Sequence, residues 1–240
     1  MIAKPLKPIM ELGSKNAFDS RGISYPCIGN FQNTQYIFYT GWSNGKKNPF
    51  MNSLGFGVFD GKYKKMGSVS INSDQNKVEE IGSIEIKEFN DSHFMFFTEF
   101  HEWKNSSPKY NIRAAKNTAI NEWDADQSFN FEEIDAVSSM ICRPSIIKHQ
   151  SKYLMFFCHR EKDTDYQIGL ARSDNFFNWN LHSTNIFENI LLEDWCNQGQ
   201  AYPHVYKDLK TENCYLFFAG NSYGRDGFGV LQFTMDSLVQ

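Results

Sequence analysis

Nowhere in the 240 residues is there an apolar run near the roughly 20 residues that a membrane-spanning helix requires. The amino-terminal stretch MIAKPLKPIMELG also lacks the continuous apolar core of a secretory signal, so a cytoplasmic protein is expected. An excess of basic charge is missing as well. With 24 Lys and Arg against 28 Asp and Glu, the net charge of −4 carries no electrostatic footprint for nucleic acid or an anionic membrane. Cysteine is sparse and odd in number: Cys27, Cys142, Cys158, Cys196 and Cys214, with no C-x-x-C spacing. That excludes a disulfide framework and a zinc ribbon. Cys27, Cys158 and Cys214 fall within strand-like segments, where cysteine serves as a small buried hydrophobe. No long segment sustains a 3.6-residue apolar period, which argues against a helix-rich architecture.

Aromatic residues, by contrast, are abundant, at 16% with 22 Phe and 11 Tyr. They suit half-buried pleated surfaces. They are also periodic. Four segments share one pattern of apolar run, polar turn and aromatic run: SYPCIGNFQNTQYIFYTGW (24–42), GSIEIKEFNDSHFMFFTEF (82–100), CRPSIIKHQSKYLMFFCHR (142–160) and AYPHVYKDLKTENCYLFFAGN (201–221). The first aromatic of each second run, at Tyr36, Phe94, Tyr153 and Tyr215, recurs at intervals of 58, 59 and 62 residues. A fixed period of this kind marks a repeat architecture.

Each unit continues into a third strand (SLGFGVFD, YNIRAAK, YQIGLARS, GFGVLQF), and fourth strands are expected at YKKMGSV (63–69) and NWNLHS (178–183). A unit of four antiparallel strands is a propeller blade. The expectation is therefore an all-β, single-domain propeller of four four-stranded antiparallel blades, at about 18–75, 76–135, 136–190 and 191–240. The last unit stops soon after its third strand, so the segment 4–12 is expected to add its outer strand and close the ring.

In such a blade the start of the first strand, the end of the second and the start of the third lie at one edge, and all blades turn that edge toward the same mouth. First-strand starts bring Asp19, Arg21 and Tyr25, then Glu79 and Glu80, Arg143, and Gln198, Gln200 and Tyr202. Second-strand ends bring Trp42 and Asn44, His101, Glu102 and Trp103, His159, Arg160 and Glu161, and Asn221. Third-strand starts bring Tyr110, Tyr166 and Arg225. This mixture suits a polyhydroxylated ligand, with aromatic faces for ring stacking and forked donors for hydroxyls or a carboxylate. Strand alternation puts His159 and Glu161 on one face and Arg160 at a blade interface. His101, His159 and His204 with a carboxylate would make a His-rich centre, but no local spacing resembles a zinc signature, and neither metal nor cofactor is expected.

The stretches FDSRGISYP, YIFYTGW, RPSIIK, YQIGLARSDNFFNW and AYPHV…GNSYGRDGFG resemble the glycosidase-like propellers encoded in bacterial surface-polysaccharide clusters. Those are similar in turn to the arabinanase, xylosidase and invertase group of five-bladed propellers. The resemblance runs from about Phe18 to Phe233 and implies glycosyl hydrolysis, transfer or rearrangement by carboxylates around the channel. Two departures stand out. A further N-terminal blade is missing, and WCNQGQAYP puts Cys196 and Gln198 where acids would be expected. An amide supplies no proton as a carboxylic acid does.

The sequence thus assigns Glu102 and Glu161 to acid–base work, with Asp19 in support. Arg143, His101, His159, His204 and Asn221 would hold a sugar or sugar conjugate, with Trp42 and Tyr202 as stacking surfaces. The alternative is a non-catalytic carbohydrate-binding or assembly module. A homodimer sharing one ring or face would make up for the missing blade.

Overall fold

A computed structural model describes residues 8–45, 48–73, 77–104, 107–208, 210–211 and 213–234. The strands form four successive antiparallel meanders. The first comprises β1 (Gly22–Phe31), β2 (Thr34–Ser43), β3 (Met51–Phe59) and β4 (Tyr63–Ser68). After the short β5 (Ser70–Asn72) comes the second: β6 (Ile81–Phe89), β7 (Ser92–Lys104), β8 (Ser107–Ala119) and β9 (Glu122–Ala125). A single helical turn, α1 (Glu132–Asp135), leads to the third: β10 (Met140–His149), β11 (Lys152–Arg160), β12 (Gln167–Ser173) and β13 (Asn180–Ser183). The fourth comprises β14 (Ala201–Lys207), β15 (Cys214–Ala219) and β16 (Phe228–Phe233). All four markers of the sequence period lie in the second strand of a meander. The strands expected near 63–69 and 178–183 appear as β4 and β13. β5 departs from its own repeat and pairs in parallel with β9, extending the second meander outward.

The polar turns of the repeats explain the tight hairpins. Gln32 and Asn33, and Asn90 and Asp91, all have positive φ, the conformation that matches a two-residue turn to strand twist. Short amide and carboxylate side chains tolerate it better than β-branched ones.

Strand alternation then builds three apolar seams. Along β11, Tyr153, Met155 and Phe157 face the second meander, together with Phe94, Phe96 and Trp179. Leu154 and Phe156 face the fourth, among Ile168, Leu216 and Phe218. Between the first and second meanders lie Phe38, Phe56, Phe97 and Trp123. Phe157 is wholly buried and rests on Gly169, where an added Cβ would stand 2.5 Å from its ring. A side chain larger than hydrogen at residue 169 would displace the ring.

At the axis every first strand carries an extra residue. The register slips between Ser24 and Cys27, Ile81 and Ile84, Cys142 and Ser145, and Ala201 and His204. At three of these bulges the residue before a proline, Tyr25, Arg143 or Tyr202, has a φ of 54°, 60° or 59°. A left-handed conformation costs an ordinary residue roughly 1–2 kcal/mol, and a bulge re-aims its side chain. Small buried polar groups tie neighbouring meanders here. The Thr40 hydroxyl donates to the Gly82 carbonyl (3.0 Å), the Arg143 N–H to Ser83 Oγ (3.2 Å) and the Val205 N–H to Ser145 Oγ (3.0 Å).

Closure by the N-terminal segment is not found in the described residues. Residues 8–12 lie in no strand, Ile9 and Leu12 are exposed, and β16 pairs only with β15. Pro8 has no N–H to give a ladder. The rest of that expected strand, 4–7, lies outside the described residues. No described helix is long and apolar enough to cross a membrane.

Candidate functional site around the axial cavity

The bulges converge on the axis and divide it into two cavities that share Tyr25, Ser83, Arg143 and Tyr202. On one side is a cavity of about 150 Å³, walled by Trp42, Phe50, Tyr110, Cys142, Arg160, Tyr166 and Tyr223 besides the shared residues. On the other is a wider mouth of about 580 Å³, walled by Ile28, Ile84, Glu85, Ile86, Lys87, Pro203 and His204. A third space, of about 610 Å³, lies off the axis beside α1; its guanidinium, Arg113, is paired with Asp135 at 2.9 Å.

Two guanidinium groups organise the smaller cavity. Arg143 reaches across the axis and lies against both the Tyr25 and Tyr202 rings, 3.7 and 4.6 Å from its Cζ. Arg160 lies over the Tyr166 ring at 4.9 Å and donates from Nη1 to the Tyr223 hydroxyl at 2.7 Å. The Tyr110 and Tyr166 hydroxyls are hydrogen-bonded to each other. Burial pushes the Tyr25, Tyr110, Tyr166 and Tyr202 phenols above their ordinary value, so they remain neutral O–H groups. Beneath them Cys142 pairs in register with Cys158, whose Sγ accepts the Tyr202 N–H at 3.0 Å. Burial raises Cys142, but hydrogen bonds from Cys158 and Tyr166 and the two guanidinium groups outweigh it and bring the thiol below its ordinary value.

Of the residues assigned from sequence, Trp42, Arg143 and Tyr202 line this cavity. The Trp42 indole donates to Ser24 Oγ and packs against Tyr25 and Phe50. His204 lies at the opposite mouth. The carboxylates are elsewhere. Asp19 is buried between the Tyr39 hydroxyl (2.9 Å) and Lys65 Nζ on β4. Glu102 is exposed and 3.3 Å from Lys109, and Glu161 is exposed at a turn closed by Thr164. His101 is near Glu99 on the flank of α1, and burial holds its imidazole below the ordinary value. His159 is buried against Phe157, with Nε2 on the Thr184 carbonyl at 2.6 Å. β11 does alternate, but Arg160 rather than His159 takes the cavity face. Asn221 clasps the loop before β14: its Oδ1 accepts the Gln198 and Gly199 N–H groups, and its Nδ2 donates to the Asp194 carbonyl. Cys196 is buried in that loop, and burial raises its thiol.

Tyr25, Tyr110, Arg160 and Tyr166 belonged to the mouth positions read from the sequence without being singled out. Tyr223 did not; it follows from the turn at 221–224, where Ser222 and Tyr223 are both left-handed. Glu80, also among the mouth positions, is buried just behind the cavity wall. Burial raises its carboxyl, while the Trp103 indole N–H at 3.0 Å and the Asn52 N–H offset part of the shift. Among the described residues, no three His, Cys, Asp or Glu side chains are grouped to hold a metal.

Comparisons with known proteins agree with the architecture. No family model matches the chain. Two uncharacterized proteins from strains of Mycobacterium tuberculosis are each 22% identical over 231 residues, covering 94% of this chain and 76% of theirs. Among solved structures, an α-L-arabinofuranosidase from Lactobacillus brevis superposes with a TM-score of 0.65 at 11% identity, over 92% of this chain and 76% of its own. A thermostable family-43 glycoside hydrolase gives 0.62 at 16% identity, over 91% and 73%. An exo-1,5-α-L-arabinanase from a bovine ruminal metagenomic library gives 0.60 at 13% identity, over 97% and 83%. The chain has the glycosidase-like propeller fold.

Proposed function

We propose that this protein is a carbohydrate-handling propeller that binds a sugar or sugar conjugate in the axial cavity. In this reading the four meanders are its blades, at about 18–75, 76–135, 136–190 and 191–240, and its setting is bacterial surface-polysaccharide metabolism. Trp42 and Tyr202 supply aromatic faces, and Arg143 supplies a forked donor. The observation that carries the reading is the wall itself: aromatic rings and hydrogen-bond donors surround the cavity, and no carboxylate lines it. Two-carboxylate glycoside hydrolysis needs an acid and a second carboxylate flanking the bond, so recognition is favoured over hydrolysis. A thermal-shift screen against monosaccharides and nucleotide sugars tests it, since a ligand of the folded state raises Tm by mass action. One sugar class should raise Tm, and Trp42→Ala should abolish the rise. If no sugar moves Tm, the reading fails.

A second reading, glycosyl hydrolysis or transfer, is favoured by Glu80, whose raised carboxyl is of the kind a general acid requires. Glu102 and Glu161 would be its partners on the exposed rim, with Asp19 in support. Release of nitrophenol from aryl glycosides, abolished by Glu80→Gln or Glu102→Gln, would establish it; activity untouched by both would remove these residues from it.

A homodimer belongs to the same proposal. Tyr206, Phe217, Phe228 and Val230 are exposed on one face of the fourth meander, in support of a covering copy. A monomer by light scattering would remove that part.

A further inference from the structure

The two axial arginines differ in their partners from several other cations of the chain. Lys65, Lys87, Lys109, Arg113 and Arg225 each sit against a carboxylate of the chain. Among the described residues, Arg143 and Arg160 sit against none, and the Nε of each is buried without an acceptor. A guanidinium removed from water pays a desolvation cost that only an opposing charge with good geometry repays. Tyrosine faces repay part of it through the ring quadrupole, but they leave the N–H edges of the fork open.

The rest of the cavity reinforces the same polarity. Its phenols are neutral O–H groups that can donate, and burial raises them further. The Cys142 thiol is drawn down despite its burial, first by hydrogen bonds from Cys158 and Tyr166 and then by the two guanidinium groups. Arg143 is also held in a left-handed conformation before Pro144, a strained arrangement that aims its side chain across the axis. Such an outlier at a cavity is the kind of strain that accompanies function.

Building on the sugar reading above, we infer that the axial cavity takes its sugar by an oxyanion, a carboxylate or phosphate carried on the ring, seated between Arg143 and Arg160. Guanidinium forks match both groups bidentately. The cavity is small, about 150 Å³, and both guanidinium groups line it, which suits the oxyanion of a charged monosaccharide unit or chain end. Carboxylate and phosphate share this chemistry, and the test separates them.

The test is calorimetric titration of the full chain at low salt with D-glucuronate, D-galacturonate, glucose 1-phosphate and mannose 1-phosphate. The neutral parent sugars and inorganic phosphate serve as controls. At least one charged sugar should bind about tenfold or more tightly than its neutral parent, and added salt should weaken it. Arg143→Gln and Arg160→Gln should each reduce that binding about 10- to 100-fold, the range for a hydrogen bond to a charged group. Arg160→Lys, which keeps the charge but loses the fork, should fall between. If Arg143→Gln does not fold, Arg160→Gln and Tyr223→Phe carry the test, since Tyr223 is half exposed. Uronates binding without the phosphates assign a carboxylate, and the converse assigns a phosphate. Equal binding of neutral and charged sugars would overturn the oxyanion inference and leave the sugar reading intact. Inorganic phosphate binding as tightly as every sugar phosphate, unaffected by Trp42→Ala, would overturn the sugar reading. No heat from any probe at about 10 mM overturns both.

Discussion

The seams between meanders and the cavity at their axis are made by the same strands, yet they follow opposite rules. Along β11, Phe156 and Phe157 fill two seams with rings and no polar atom, while Arg160 at the end of that strand lines the axial cavity. In a seam each apolar side chain removes its surface from water, and stability follows from area. At the axis, bulges and left-handed residues carry local cost, and two guanidinium groups whose buried Nε atoms lack an acceptor add more. The seams hold the fold together by apolar area, with the buried indole N–H groups of Trp123 and Trp179 as their polar cost. The axis is where the fold gives up stability for a specific arrangement of donors.

That contrast can be broken most severely at the seam. Phe157→Ala should lower unfolding free energy by about 3–5 kcal/mol, because a wholly buried ring leaves a cavity its neighbours cannot fill. Urea denaturation measures this, and a loss below about 1 kcal/mol would show that the seam is not the source of stability. Gly169→Ala tests the same packing from the other side. Its new Cβ, 2.5 Å from the Phe157 ring, should cost about 1–3 kcal/mol by overpacking.

Arg143→Met sharpens the comparison at the axis. A half-buried guanidinium whose Nε lacks an acceptor is replaced by an apolar chain of similar length, so Tm should hold or rise while sugar binding is lost. A clear fall in Tm with binding retained would make Arg143 a strut between Tyr25 and Tyr202 instead of a ligand-holding residue.

The smallest effect is expected at Glu80 and depends on pH. Burial holds its carboxyl above the ordinary 4.5, so the folded state keeps that proton to higher pH than the unfolded chain does. This contribution to stability is full below pH 4.5 and is lost as pH rises through the folded value. Glu80→Gln imitates the protonated form. Its Tm should match the wild type at acid pH and exceed it progressively above pH 4.5. A constant difference at every pH would remove the titration from the explanation.

Much of this was legible in the chain. The interval from Tyr36 to Phe94 to Tyr153 to Tyr215 marked the second strands, and the polar turns between runs marked the hairpins. The mouth positions of the cavity could be enumerated from strand ends alone, and Tyr25, Trp42, Tyr110, Arg143, Arg160, Tyr166 and Tyr202 were all among them. Choosing within that set was harder. Carboxylates and histidines suggest chemistry wherever they occur, but Asp19 answers Lys65, Glu102 answers Lys109, and His159 answers the Thr184 carbonyl. Those partners are 46, 7 and 25 residues away, and no local pattern announces them. The departure of β5 to pair with β9 was equally invisible, since parallel pairing depends on a neighbour some 50 residues on.

By itself, then, the sequence determined the repeat, the antiparallel strands within it and the edge at which polar residues gather, because period-2 alternation and turn chemistry are local. Only the tertiary structure decided which of those residues share a cavity. An extra residue at each axial bulge shifts the strand's parity, and the left-handed backbone at Tyr25, Arg143 and Tyr202 turns their side chains inward. Those choices are made by strands from different repeats meeting at one axis, and no single segment carries the information to foresee them.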